Sequence, residues 1–347
     1  MAYSFPSATN TYVPAFDTTG NLVVNYSRNQ KDFKVNQYIT LTPVNKETGF
    51  YLRLDIDNAF RILGTKGDAN IWPDGNDSPN ATYNNQPFEF ETFRAMRRAY
   101  VAQLGYLAVE QAAWDIKSSH QRMLGTQAMT QRTKLVDDLL LDSTSYDSTH
   151  VATATALGGG YWSAGSIANA YIQKAVMAAA NVIQVDTGSC VKYSNLTLII
   201  NPVAADAMAR SAEIRDFIAQ SPFAMDQVRG NKPGQNAQWG LPDQLYGIDL
   251  IVEDTVYDNT PFGSNTQNRT YTWGSNSAVL CAKNSKDLVM NDSMSSFSTV
   301  HIFSYEEMQA ETMDDTVNRR TLLRVTDNYA TTMVSPVSGF LITNLFS

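Results

Sequence analysis

The sequence has 347 residues, 43 % of them hydrophobic, which suffices for ordinary globular cores and is comfortable for two. Only 17 % are charged, against roughly 25 % in an average domain, and Asn, Thr, Ser and Gln fill the deficit. The net charge of −8 argues against a dedicated nucleic-acid binder with a basic stripe, the hydrophobic content against disorder, and the lack of 18 consecutive apolar residues against an apolar helical span. Low charge fits a protein that buries much of its outside in interfaces, and it fits equally a polar, weakly charged surface. The opening MAYSFPSATNTYVPAFDTTG has neither the basic nor the apolar region of a signal peptide. Cys190 and Cys281 are expected as reduced thiols packed as small hydrophobes. Six Asn-x-Ser/Thr sequons, at Asn25, Asn76, Asn80, Asn195, Asn268 and Asn291, are expected by chance in such a composition.

In chain order, residues 1–39 carry scattered aromatics (Phe5, Tyr12, Phe16) without periodicity and read as an extended arm that must lie against something. Residues 38–57 read as a hairpin, YITLTPV and FYLRLDI about a turn at Asn45–Gly49, with Tyr51, Arg53 and Asp55 alternating against Leu52, Leu54 and Ile56. A turn-rich stretch at 64–87 and an alternating FEFETF at 88–93 complete a protruding β-arm with a polar tip. From about 102 to 141, apolar residues three or four apart (Leu104, Leu107, Ala108, Ala112, Ile116, Met123, Leu135, Leu139) predict one long helix, with Gly125 as a bend. Such a helix would exceed ~50 Å at 1.5 Å per residue, longer than a compact domain needs. Ser166–Val182 is an Ala-rich helix.

Next comes LTLIINPVAADAMARSAEIRDFI, Leu196–Ile218. It reads as a buried strand closed by Asn201-Pro202 and a helix carrying Ala205, Met208, Ala209, Ile214 and Ile218. Ile248–Val256 and Ser277–Asn284 are strands. The tail is β-rich: FSTVHIF, RRTLLRVTDNYATTMV and GFLITNLF.

Chemistry is hard to find. The Asn201-Pro202 turn offers no Gly, Lys, Ser nucleophile or His. His120, His150 and His301 stand alone, with no HExxH spacing and no GxSxG nucleophile elbow to meet them. There is no CxxC for zinc. Asp74-Gly75-Asn76-Asp77 has the oxygens of a calcium loop but lacks the closing Glu, and reads as a turn. Gly158-Gly159-Gly160 follows no strand and lacks the Lys-Ser/Thr of a phosphate loop. Glu306-Glu307 and Asp314-Asp315 read as solvated edges, since adjacent carboxylates on a strand face opposite ways. Arg97-Arg98 and Arg319-Arg320 are too few for a nucleic-acid patch and suit inter-subunit salt bridges. No catalytic, cofactor-binding or metal-ligating residue is expected.

The order of elements, taken with TLIINPVAADAMARSAEIRDF, GIDLIVEDTV and RRTLLRVTDNYATTMVSPVSGFLITNLF, resembles the tailed-bacteriophage major capsid proteins, whose fold encapsulin shells and the herpesvirus capsid floor share. The resemblance implies an α+β fold with an N-arm (1–39), an extended β-hairpin E-loop (40–92), a peripheral domain (93–184 and 283–334) with its spine helix at about 102–141, and an α/β axial domain (185–282 and 335–347). It implies a non-enzymatic shell subunit that assembles through pentamers and hexamers into an icosahedral capsid around double-stranded DNA. Partners would be further copies of itself, a portal and decoration proteins, with DNA faced without sequence-specific binding, no membrane, assembly in the host bacterial cytoplasm and residence in the virion. The β-protrusion begins within about 40 residues of Met1, leaving no room for the cleaved scaffolding segment of some members, so a separate scaffolding protein is expected. Lys46 and Lys66 lie where some members carry a cross-linking Lys, but no partner Asn or Glu is identifiable, and no cross-link is expected. Competing readings are an encapsulin-type compartment, a phage tail or fibre component, and, from another class, a soluble enzyme with a motif-free active site.

Overall fold

The computed structural model describes residues 27–54, 74–75, 88–112, 114–163, 171–260, 266–283 and 297–347. Among these, the first elements are a short helix α1 (Val35–Tyr38) and strands β1 (Thr40–Pro43), β2 (Thr48–Leu54), β3 (Phe88–Arg94) and β4 (Met96–Gly105). Helices α2 (Tyr106–Gln111) and α3 (Ile116–Leu141), strand β5 (Val151–Thr153) and helix α4 (Ile172–Asp186) follow. The middle of the chain holds β6 (Leu196–Ile200), α5 (Pro202–Arg210), α6 (Ala212–Gln220), α7 (Pro222–Val228), β7 (Gln244–Leu245), β8 (Ile248–Val252), β9 (Val256–Asp258), β10 (Arg269–Tyr271) and β11 (Ser277–Ala282). The tail is β12 (Val300–Asp315), β13 (Arg320–Met333) and β14 (Gly339–Thr343).

A six-stranded mixed sheet in the order β5-β14-β11-β6-β8-β7 forms the centre. Its strands read as unbroken apolar runs because both faces are covered. Period two then sorts the side chains. Leu198, Ile200, Leu250, Leu280, Phe340 and Ile342 point into a core shared with α4, α5 and α6. Their neighbours Ile199, Ile251, Val279, Cys281 and Leu341 point the other way, into a core with α3 and the second sheet.

That second sheet has four strands, β1-β12-β13-β4. Val300, Ile302, Tyr329 and Met333 from its near end join Met129, Val136 and Leu140 of α3 in the second core. Farther out, Leu323, Val325 and Leu104 pack under Leu124 and Ala128 of the same helix. One helix therefore ties the two sheets together. The segment before β1 closes this junction with Phe33, Val35 and Tyr38, all at most 2 % exposed. For residues 27–39, then, what the arm lies against is the chain's own body.

Several expectations need correction. The predicted 102–141 helix begins only at Ile116, because 96–105 is strand β4, paired residue for residue with β13 from Tyr329↔Met96 to Arg320↔Gly105. At 26 residues it spans about 39 Å at 1.5 Å per residue. The helix runs without a break through Gly125. The glycine's missing Cβ admits the Gln30 amide, which sits 3.2 Å from where that carbon would be. Residues 38–57 are not a hairpin: β1 runs parallel to β12 (Thr40↔His301), and Asn45–Glu47 turns the chain out of that sheet into an antiparallel ribbon of β2 with β3. The single helix expected after Asn201-Pro202 is two, broken at Ser211, whose hydroxyl caps the second by accepting from the Ile214 N–H. The Ala-rich helix runs Ile172–Asp186, and the predicted start at Ser166 lies outside the described residues. The FSTVHIF strand continues to Asp315, carrying Glu306, Glu307, Asp314 and Asp315 along a long hairpin with β13.

Candidate assembly surfaces

Of the three histidines, His150 is fully buried and faces the Gly339 carbonyl (2.8 Å) and an Asp186 carboxylate oxygen (2.9 Å), joining the start of β14 to the end of α4. His301 is buried at the base of β12 beside the Thr42 hydroxyl (3.1 Å), with the Ser298 N–H donating to Nε2, and burial lowers its pKa to about 4. His120 lies 2.9 Å from the carbonyl of Ile116, one turn back on α3. The triple glycine is a packing device: a Cβ on Gly159 would stand 2.5 Å from that of Ala175, and the Gly159 carbonyl accepts from the Tyr171 N–H at the start of α4. Asp74-Gly75 is a turn with Gly75 at φ +83°, while Asn76 and Asp77 lie outside the described residues, as does Lys66. Lys46 is exposed. Cys190 and Cys281 are unpaired, and burial pushes the Cys281 thiol up to about 12.

Three of the four arginines in the basic pairs have partners within the chain: Arg97 meets Glu306 at 3.3 Å, Arg98 stacks 4.2 Å over the Tyr329 ring and Arg320 binds Asp315 at 2.8 Å, while Arg319 is exposed. Asn318 and Arg320 together hold the Asp315 carboxyl down to about 2. Among the described residues no group of three His, Cys, Asp or Glu side chains is disposed to hold a metal. No helix there is long and apolar enough to cross a membrane. A groove of about 320 Å³ between α5, α6 and α7 is lined by Ile218, Met225 and Val228, with Arg215 and Arg229 beside them. No carboxylate or histidine lines it, so it assembles no acid–base pair.

The surface is more informative on the β2–β3 ribbon. Its root is held firmly: Phe93 stacks on Phe303 at 4.2 Å, Tyr51 joins from the same face at 5.9 Å, and the Ala95 N–H donates to the Glu47 carbonyl. The opposite face is apolar and uncovered. Phe50 (63 %), Leu52 (53 %) and Phe90 (67 %) are exposed side by side, Leu52 directly across from Phe90, with the Phe50 and Phe90 rings edge to face at 5.7 Å. Over the described residues 50–53 the alternation holds, with Phe50 and Leu52 on the solvent side; the Leu54 side chain and residues 55–57 lie outside the described residues. Clustered exposed apolar side chains on a projecting ribbon mark a contact surface.

No protein-family model matches the sequence, and no curated protein matches it either. Solved structures do match. A phage-related protein of Bordetella bronchiseptica superposes with a TM-score of 0.60 at 15 % identity, covering 92 % of this chain and 94 % of its own. A chain from the mature capsid of bacteriophage PhiM1 gives 0.56 at 10 % identity over 96 % and 91 %, and one from the capsid of the cyanophage P-SCSP1u gives 0.54 at 9 % over 96 % and 92 %. The fold is that of a tailed-phage capsid protein.

Within a capsid-protein fold the chemically blank turn at Asn201-Pro202 is explained by structure alone. Asn201 accepts from the Val203 N–H (2.7 Å) to cap α5 and donates to the Trp273 carbonyl (2.6 Å), while Pro202 supplies the fixed φ of a first helical residue. Sequence reasoning missed Glu213. Its carboxylate accepts from the backbone N–H groups of Ile172 (2.6 Å) and Gln173 (3.1 Å), capping α4 from a helix 40 residues away. It also missed Arg132 and Asp327, a buried two-toothed pair joining α3 to β13. The available signal was a polar residue at each place where the apolar period of α3 fails: Arg132, Thr133 and Asp137, all buried.

Proposed function

We propose that this chain is a non-enzymatic structural subunit, the major capsid protein of a tailed bacteriophage, which assembles with copies of itself into an icosahedral shell around double-stranded DNA. The observation that carries the proposal is the likeness to capsid subunits over more than nine-tenths of the chain. The apolar ribbon supports it, since Phe50, Leu52 and Phe90 are exposed and meet no covering partner among the described residues. In this reading the expected bounds shift: β1 leaves the E-loop for the peripheral domain, made of the four-stranded sheet with α3, and β5 and α4 leave the peripheral domain for the axial one, made of the six-stranded sheet with α4–α7, while the ribbon is the root of the E-loop. The subunit forms pentamers and hexamers, is guided by a separate scaffolding protein and a portal, and resides in the virion after assembly in the host cytoplasm. Weak contacts repeated around closed rings give a stable wall through symmetry and multivalency.

The test is electron microscopy and sedimentation of the purified chain across salt and pH, alone and with proteins encoded beside it. Shells, tubes or ring-shaped capsomers are expected, and nuclease-protected DNA in particles from infected cells separates a virus from a cargo compartment. A stable monomer under every condition, co-expression included, overturns the proposal.

A further inference from the structure

Three elements meet at one tyrosine. The Tyr38 hydroxyl, at the end of α1, lies 2.9 Å from Asp137 Oδ1 on α3 and 3.2 Å from Glu253 Oε2, just past β8. All three side chains are at most 1 % exposed. Glu253 Oε1 is occupied by the Thr255 N–H (3.1 Å) and hydroxyl. Asp137 Oδ2 is buried without a hydrogen-bond partner among the described residues; the Thr272 hydroxyl is close enough to favour the Asp137 carboxylate but in this geometry is directed at the Thr255 carbonyl (3.3 Å).

The hydrogens do not suffice for two carboxylates. Tyr38 carries one, and a hydroxyl donates to one acceptor at a time. Both oxygens stand within hydrogen-bond distance of it, so the second contact needs a proton on a carboxyl, which then donates to the phenol oxygen. The charged neighbours deepen the need. Asp138 on α3 and Asp254 beside Glu253 are both acidic, and each is itself paired with a cation, Asp138 with Lys134 and Asp254 with Arg28. Burial first, and then Glu253, raises Asp137 well above the carboxylate range, and burial likewise raises Glu253. Burial and the two carboxylates raise the Tyr38 phenol, so it stays a donor.

We propose that Asp137 and Glu253 hold one proton between them, and that its loss as pH rises unseats Tyr38 and with it the segment before β1. The inference rests on the fold alone, not on the assembly role. The sign follows from linkage. The unfolded chain releases this proton near pH 4, the folded chain only at a higher pH, so between those limits folding is weakened as pH rises. Above the folded value the loss is complete.

The test follows unfolding of the full-length chain and amide exchange of residues 33–40, corrected for intrinsic rates, across pH 4 to 9. Wild type is compared with Asp137→Asn and Glu253→Gln in the same assembly state. Over the titration window the wild-type unfolding constant is expected to rise up to about tenfold per pH unit relative to Asp137→Asn. Exchange in the segment should quicken with pH in the wild type and stay level in the variant. Equal slopes in both proteins overturn the proposal. Should neither variant fold, infrared spectroscopy of the wild type decides: a protonated-carboxyl band at neutral pH that vanishes on alkalisation supports the shared proton, and its absence refutes it.

Discussion

Replacing Leu52 and Phe90 together by Ser tests whether the apolar ribbon face is an interface. In the single chain these side chains are 53 % and 67 % exposed, so little of their burial free energy is yet realised. Full burial of such a side chain contributes about 1.5–3 kcal/mol, and scaling by the exposed fraction leaves about 1–2 kcal/mol each to be gained on contact. The double variant should therefore weaken each subunit contact by about 3 kcal/mol, roughly a hundredfold in association constant. Fold stability should fall by only about 1 kcal/mol, chiefly through the lost cross-strand pair and the Phe50–Phe90 ring contact. Thermal unfolding reads the second quantity, and sedimentation velocity against concentration reads the first. Assembly at wild-type concentrations by a variant of near-native stability would refute the assignment of this face. So would a large loss of stability, because it would mean the face is already covered within the chain.

Other substitutions probe the joints. Asn201→Ala removes the α5 cap and strands the buried Trp273 carbonyl, and chemical denaturation should show a loss of about 2–3 kcal/mol. Arg132→Met leaves Asp327 buried without its cation and should cost about 3–5 kcal/mol at neutral pH; Arg132→Met with Asp327→Leu should recover most of it, measured the same way. His301, lowered to about 4, binds its proton more readily in the unfolded chain, so stability should fall as pH drops from about 6.5 towards 4 and then level off. His301→Gln should flatten that part of the stability profile, and an unchanged slope would show that other groups cause it.

How legible all this was depended on whether the deciding contact is local. The buried strands at 196–200, 248–252 and 277–282 announced themselves as apolar runs between turn residues, and the Asn-Pro cap is a local motif. The start of the long helix did not. Ala102 and Leu104 fit a helical period with Leu107, which does lie in helix α2, yet β13 claims 96–105 as a strand through a ladder some 220 residues away in sequence. Pairing partners of β1 and β2 are likewise a tertiary matter: a turn between two short strands looks the same whether the chain folds back or changes sheet. Function was legible mainly through absence of motif and order of elements. The buried polar joints, Arg132 with Asp327 and Tyr38 with Asp137 and Glu253, were hidden because each residue alone reads as a solvent-facing position on its element.

If the chain is the shell subunit proposed, those joints also bear on why so few charges can serve its wall. Cross-element pairs hold some of the ionic side chains within the subunit: Arg28 with Asp254, Arg97 with Glu306, Arg132 with Asp327, Lys283 with Asp249 and Arg324 with Glu311. A charge neutralised within its own subunit does not have to be desolvated or matched again at each contact with a neighbour. Mismatched charges would recur at every copy of a repeated interface, whereas an apolar ribbon face repeats only a gain. The net charge of −8 is then left as a diffuse field. At physiological salt such a field is screened within about 8 Å, so in the proposed shell it would hinder the approach of subunits little and favour no adhesion to DNA.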